Sequence, residues 1–329
     1  MSIGPARAQS PAGQHPALMS RAPANSTVSG TVTIARGDAR IPARGVWVTL
    51  HRVGRDSAGP VDSVRTGASG AFRFRYLPGA DAQVVYFVST ERAGIAYFSA
   101  RLPAAAREAR EAREADLTVY DTTSRGATID VASRHIIVSA ADTLSEREIT
   151  EVYILANAGS LTLVADASGA GTFQAELPAG ARDPQAGEGD VSPAAVRFAG
   201  RQVTLDAPIP PGTKRFSVTY RLATSNGGFV FDVPRASDVV EVLVADSAAT
   251  VAGGGMHEES PIVLAGRPFL RFVGHGVAGG SQIRVLLPPS SRGPRALLLF
   301  VAAMGVVMAV VLGVSLLRGR AAPTGDAKR

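Results

Sequence analysis

An all-β fold in two tandem β-sandwich domains, followed by one C-terminal transmembrane α-helix, is what this sequence predicts. Two patterns carry the prediction. Between residues 28 and 287, short runs alternate apolar with polar positions and are broken by Gly, Pro and Asp, the period-two signature of half-buried strands. Residues 296–317 (ALLLFVAAMGVVMAVVLGVSLL) then run without a charge. About 20 apolar residues, rising ~1.5 Å each in a helix, cross the ~30 Å hydrocarbon core. At 329 residues, 46% of them hydrophobic, the chain less that anchor suits two domains better than one or three.

The first element in order is a segment, 1–25, rich in Pro, Ala, Gln and Ser and without periodicity. It reads as a disordered leader or a signal-peptide remnant, because Ala6-Arg7-Ala8 has the small-x-small spelling of a secretory cleavage site, although no apolar run precedes it. A first domain at 26–123 follows, with strand-like runs at 28–35, 45–53, 61–66, 70–77, 83–90 and 94–102. Within 71–77, Phe72, Phe74 and Tyr76 share one face and Arg73 and Arg75 the other, so one side meets a core and the other water. The Ala-Arg-Glu triplets of 104–115 read as a short solvated helix or a charged loop inserted into the domain, since 116–120 (DLTVY) reads as its closing strand.

These residues also carry a resemblance. The segments Ser29-Gly30-Thr31-Val32, 43–50 (ARGVWVTL) and 63–74 (SVRTGASGAFRF) resemble the carboxypeptidase regulatory-like module. That family has a G-x-V opening, a V-x-V-x-L strand and a T-D-x-x-G-x-F-x-F hairpin. Here Gly67 stands where the family usually has Asp, so a turn held by that side chain is not implied. The resemblance covers about 90 residues and implies a transthyretin-like β-sandwich. It implies a fold more than a function.

The second domain is expected at 124–288. Phe216, Val218 and Tyr220 alternate with Ser217, Thr219 and Arg221, and Asn226-Gly227 before 228–233 predicts a tight hairpin with a return strand. Further strands are expected at 127–138, 149–155, 161–164, 195–198, 239–244, 269–273 and 282–287. The acidic stretch 178–193 reads as a loop, either for binding or disordered. Pro210-Pro211-Gly212 ahead of Tyr220 gives a slight resemblance to immunoglobulin-like domains. Many short strands separated by turns argue for a sandwich in either case.

Composition excludes some classes. The net charge is +6, but the cations are almost all arginines dispersed along the chain, and no basic block with interleaved aromatics occurs, so nucleic acid is not an expected partner. Cysteine is absent. The five histidines, His15, His51, His135, His257 and His275, show no metal-ligand spacing, and neither a metal nor another cofactor is expected. His257-Glu258 starts like a zinc-protease motif, but Pro261 stands where the second histidine would be, and His257 reads as a solvated loop residue. The run 274–279 (GHGVAG) spells G-x-G-x-x-G without a helix to open, so it reads as a glycine-rich hairpin turn. The run 67–71 (GASGA) misses the nucleophile elbow at Ala71. No catalytic residue is assigned, and an enzyme is not expected. Trp47 and His51 fall on one strand face and form a candidate ligand platform; the alternative is that Trp47 packs in a core or under a loop.

A linker at 289–295 leads into the spanning helix at 296–317, and a short tail occupies 318–329. Arg292 and Arg295 before the helix and Arg318, Arg320, Lys328 and Arg329 after it nearly balance, so charge alone leaves the orientation open. Gly305, Ala309 and Gly313 recur every four residues and form a small-xxx-small packing stripe, suited to homodimerisation or to a partner's transmembrane helix. The expected protein is a non-enzymatic, single-pass bacterial inner-membrane protein. Its ectodomain, periplasmic or extracellular, binds or scaffolds envelope proteins, and its C-terminus is cytoplasmic. Two rival functions are a carbohydrate-binding surface module and a hydrolase in the second sandwich, which would need a Ser or Asp near His135 or His257 in a cleft.

Overall fold

The structure, a computed structural model, describes residues 26–76, 83–102, 115–142, 146–224 and 227–287. Among them the fold is all-β, in several sheets, and no helix is long and apolar enough to cross a membrane. The predicted leader 1–25, the repeat 104–114, the helix 296–317 with Gly305, Ala309 and Gly313, and the tail all lie outside the described residues. By the density of its contacts the chain divides into two compact units.

Unit 1 runs to Ala127 and also takes in Ala158–Val164 and Pro208–Pro211. One of its sheets orders β2 (Ala39–Pro42), β1 (Ser26–Arg36) and β5 (Ala71–Tyr76), and β8 (Leu117–Tyr120) pairs with β1 in parallel. The other orders β4 (Ala58–Arg65), β3 (Trp47–Val53), β6 (Val85–Arg92) and β7 (Ile95–Phe98). Alternation dictates the packing. Phe72, Phe74 and Tyr76 of one sheet and Val48, Leu50, Tyr86 and Val88 of the other are buried in one hydrophobic cluster, while Arg73 and Arg75 are exposed. Burying each such side chain contributes roughly 1.5–3 kcal/mol. Gly70 takes φ +77° and its N–H donates to the Gly67 carbonyl (3.0 Å), closing the turn between β4 and β5. That turn carries the chain from one sheet to the other, whereas the family pattern implied a hairpin. A short pair, β9 (Thr122–Thr123) with β12 (Thr162–Leu163), completes the unit.

Unit 2 is built on a seven-stranded sheet. Its order is β14 (Arg182–Ala186), β17 (Gly212–Ala223), β11 (Glu146–Asn157), β10 (Ile129–Val138), β19 (Ser237–Val244), β22 (Arg267–Val277) and β21 (His257–Leu264). Two three-stranded sheets belong to the same unit: β18 (Gly228–Val233) with β23 (Ser281–Leu286) and β20 (Thr250–Ala252), and β13 (Phe173–Glu176) with β16 (Gln202–Leu205) and β15 (Val196–Ala199).

Four local expectations are corrected. The hairpin across 226–227 does not form: β17 lies in the seven-stranded sheet and β18 pairs with β23. Phe216, Val218 and Tyr220 of β17 and Phe229, Phe231 and Val233 of β18 are all buried, so the two strands fill a core from different sheets. Gly227 does take φ +78°, but its carbonyl accepts from the Leu287 N–H at 2.6 Å, beside β23. The loop 178–193 contains β14, an edge strand paired to β17 through a bulge. Its residues (RDPQA) offer no apolar side chain larger than Ala186, so no alternation announces it. His257 is exposed but sits in strand β21 rather than a loop, and Gly274-His275-Gly276 lies inside strand β22 rather than in a turn.

Candidate functional site

The outward face of the β4-β3-β6-β7 sheet collects the candidate platform of unit 1. Because Val48 and Leu50 point inward, Trp47, Thr49 and His51 point outward, and Trp47 is 55% exposed. The core-packed alternative for Trp47 is thereby overturned. The Arg65 guanidinium, opposite Trp47 across the β3-β4 register, lies 4.7 Å from the indole centroid, a cation–π contact. The His51 ring stacks on Phe87 (5.0 Å, 11°), its Nε2 is 2.8 Å from Ser89 Oγ, and Phe98, 61% exposed, meets Phe87 edge-on at 5.8 Å. Partial burial pushes the His51 pKa down, favouring the neutral ring. Thr49 and Ser63, whose hydroxyls are 3.0 Å apart, and Ser89 stand on this face too. Two aromatic ends thus flank a band of hydroxyls.

In unit 2 the chemistry divides between the two faces of the seven-stranded sheet. Arg134 and His135 are consecutive on β10 and so project oppositely. Inward, Arg134 (3% exposed) meets Glu151 of β11 (0%): guanidinium Nε and Nη2 both lie 2.8 Å from Oε2. The hydroxyls of Tyr153 and Tyr220 donate to the two carboxylate oxygens at 2.6 Å each, and Arg134 Nη1 donates to the Asp232 carbonyl at 2.6 Å. Burial alone lowers the Arg134 pKa, but the charge and hydrogen bond of Glu151 together with the two tyrosines outweigh it and the net shift is upward; burial raises both tyrosines. Every charge here has partners, as a desolvated ion pair requires. A small pocket opens beside it, lined in part by Val131, Phe173, Gln174 and Arg235.

On the opposite face, His135 pairs with Glu241 of β19 directly across the register. Its Nδ1 is 2.5 Å from Glu241 Oε2, and its Nε2 is 3.0 Å from Ser133 Oγ. Glu241 Oε1 accepts from Arg271 Nε of β22 (2.5 Å), and Arg271 Nη1 donates to Glu259 of β21 (2.5 Å). Glu259 Oε1 is 3.5 Å from His257 Nε2, and the rings of His257 and His275 are 6.1 Å apart. Four strands therefore contribute one continuous polar row. Burial would raise the Glu241 pKa, but hydrogen bonds from Arg271 and His135 prevail and lower it, keeping the carboxylate ionised. A bulge between Val131 and Ser133 and another between Glu259 and Ile262, at Ser260-Pro261, re-aim the side chains at both ends of the row.

Trp47 and His51 thus share one exposed face, as expected, and the partners the sequence reading missed are Arg65, Phe87 and Phe98. Phe87 was accessible to it, since Tyr86 and Val88 facing the core force Phe87 outward. In unit 2 linear spacing gave no sign of the neighbours of His135, His257 and His275, because most of them come from other strands. No family model matches the chain, and no curated protein matches it.

Proposed function

We propose that the chain is a membrane-anchored envelope protein that binds partner proteins through the outward face of the β4-β3-β6-β7 sheet. Exposed Trp47 with Arg65 stacked on it, together with Phe98 beside the His51–Phe87 pair, is the observation that carries this reading. Trp, Tyr and Arg are the residue types that dominate interface energetics, and an exposed aromatic patch on a sheet face marks a recognition surface. Two tandem β-sandwiches, the first transthyretin-like and the second immunoglobulin-like or similar, would hold that face away from the bilayer. The two four-stranded sheets closing on one core support the first assignment. The apolar run 296–317 supports a single span, with the domains periplasmic or extracellular and the tail cytoplasmic, and the Gly305, Ala309 and Gly313 stripe supports docking within the membrane. The test is a cross-linked pulldown of the full chain from membranes. One defined protein complex should be recovered with wild type and reduced about tenfold or more by Trp47→Ala with Phe98→Ala. Recovery unaffected by these substitutions contradicts the reading, and a Trp47-dependent signal on a glycan array would transfer the face to carbohydrate.

A second reading has its own observation. Ser133 Oγ, the His135 ring and the Glu241 carboxylate stand in the order of a Ser-His-acid triad, at 3.0 and 2.5 Å. Arg271 would orient Glu241, and His135 would accept the Ser133 proton as the hydroxyl attacks an acyl carbon, then return it to the alcohol or amine that leaves as the acyl bond breaks and the acyl-enzyme forms. The row lies on a sheet face rather than in a cleft, so this reading ranks second. A fluorophosphonate probe that labels wild type and spares Ser133→Ala would promote it; absence of labelling discards it.

A further inference from the structure

The polar row ends in a donor set that neither function reading uses. We propose that His257, Glu259 and His275 form a binding site for one divalent transition-metal ion of the zinc class, on the β21-β22 ribbon of unit 2. The ligand atoms of the three residues all lie within 4.8 Å of one another. Two imidazoles and one carboxylate, with a fourth position left to water, form the donor set of open zinc sites. The backbone register explains the convergence. Glu259 stands opposite Arg271 and His257 opposite Val273, so His275, two residues beyond Val273, is the diagonal neighbour of His257. Buried Val273 occupies the position these side chains surround and gives the cluster an apolar floor.

The chemistry of the cluster asks for a cation. Glu259 Oε2 is already held by Arg271, and Arg271 is held in turn by Glu241, so the carboxylate is oriented and its Oε1 is turned toward His257. Outer partners of this kind fix the direction of a metal ligand. Each imidazole offers a ring nitrogen and Glu259 offers Oε1, and a metal ion can bind the three donor atoms at once. Ligand bonds of ~2.0–2.2 Å require donors roughly 3.5 Å apart, so closure takes a shift of about 1 Å. His257 and His275 are exposed and can make that shift by side-chain rotation, without moving the core.

The test uses the full 329-residue chain and Zn²⁺ alone, measured by competition with a chromogenic chelator. One ion per chain is expected, with affinity falling at least tenfold in both His275→Ala and Glu259→Gln and unchanged in Asp38→Asn, an exposed carboxylate of unit 1 outside both sites. Retained affinity in either cluster variant, or no binding by wild type, overturns the site. Glu259→Gln preserves side-chain volume at a partly exposed position and guards against loss of fold. A second measurement needs no variant: Co²⁺ added to wild type should give the visible absorption of a low-coordinate nitrogen- and oxygen-ligated ion, and its absence also overturns the proposal.

Discussion

Arg134 and His135, adjacent in sequence, belong to two networks that use the same residue types for opposite ends. The inner one, Arg134–Glu151–Tyr153–Tyr220, is buried and its charges are paired; the outer one, from Ser133 to His275, is partly exposed and ends in a cluster of two imidazoles and a carboxylate. The difference is one of solvent access. Once buried, an ion pair adds little net stability over an apolar core, but removing one partner is costly because the other charge stays desolvated. A charge about a third exposed, such as the Arg271 guanidinium, regains water when its partner goes. The inner face therefore specifies structure, and the outer face is free to bind.

The largest expected effect breaks the inner network. Glu151→Ala strands the Arg134 guanidinium and two tyrosine hydroxyls, and should destabilise unit 2 by about 3–5 kcal/mol in denaturant unfolding. A loss below about 1 kcal/mol would mean that water reaches the site. Tyr220→Phe removes one hydroxyl from Glu151 Oε1 and should cost about 1.5–3 kcal/mol. On the outer face, Glu241→Gln should cost only about 1 kcal/mol. The same variant sharpens the contrast through pH. The folded-state pKa of Glu241 lies below its ordinary 4.5, so the folded protein binds fewer protons there than the unfolded chain. Its contribution is complete above pH 4.5 and is lost as pH falls through the lowered folded value, so wild type should lose more stability than Glu241→Gln across that acid limb. The smallest effect lies in unit 1. The lowered pKa of His51 means that its neutral form is favoured on folding, so stability is full above its ordinary 6.5 and declines as pH falls from there toward the lowered value. His51→Gln should flatten that slope, measured as the change in unfolding midpoint with pH.

How much of this was legible in the sequence follows from the range of each interaction. The burial of Phe72, Phe74 and Tyr76 and the shared face of Trp47 and His51 are local, set by the two-residue period of a strand, and are readable without a structure; that this face is the outward one is not, since the period does not say which face meets the core. Edge strands such as β14 (RDPQA) and β21 (HEESPIVL) carry no alternation of apolar and polar residues and escape. The Asn226-Gly227 signal correctly implied positive φ at Gly227, but backbone geometry at one turn does not decide which sheet receives the next strand. The outer row was illegible for a different reason. His135 and Glu241 are separated by 106 residues, and His257 meets His275 only because β21 and β22 pair in one register. A spacing rule such as H-E-x-x-H assumes a helix; on a two-stranded ribbon the same donors converge from diagonal positions. Arg134 and Glu151 gave no sign of burial, since charged residues are ordinarily read as solvated.

The contrast between the two faces is tested most directly by the rise in unfolding temperature that Zn²⁺ produces in the full chain, compared between Tyr220→Phe and Glu241→Gln. Tyr220→Phe should begin less stable yet keep the wild-type rise, because its loss is confined to the inner face. Glu241→Gln should begin close to wild type and show a reduced rise, because Arg271 no longer has the partner that fixes it on Glu259. An equal rise in the two variants, or a reduction in Tyr220→Phe alone, would contradict the division of the sheet into a structural and a ligand-binding face.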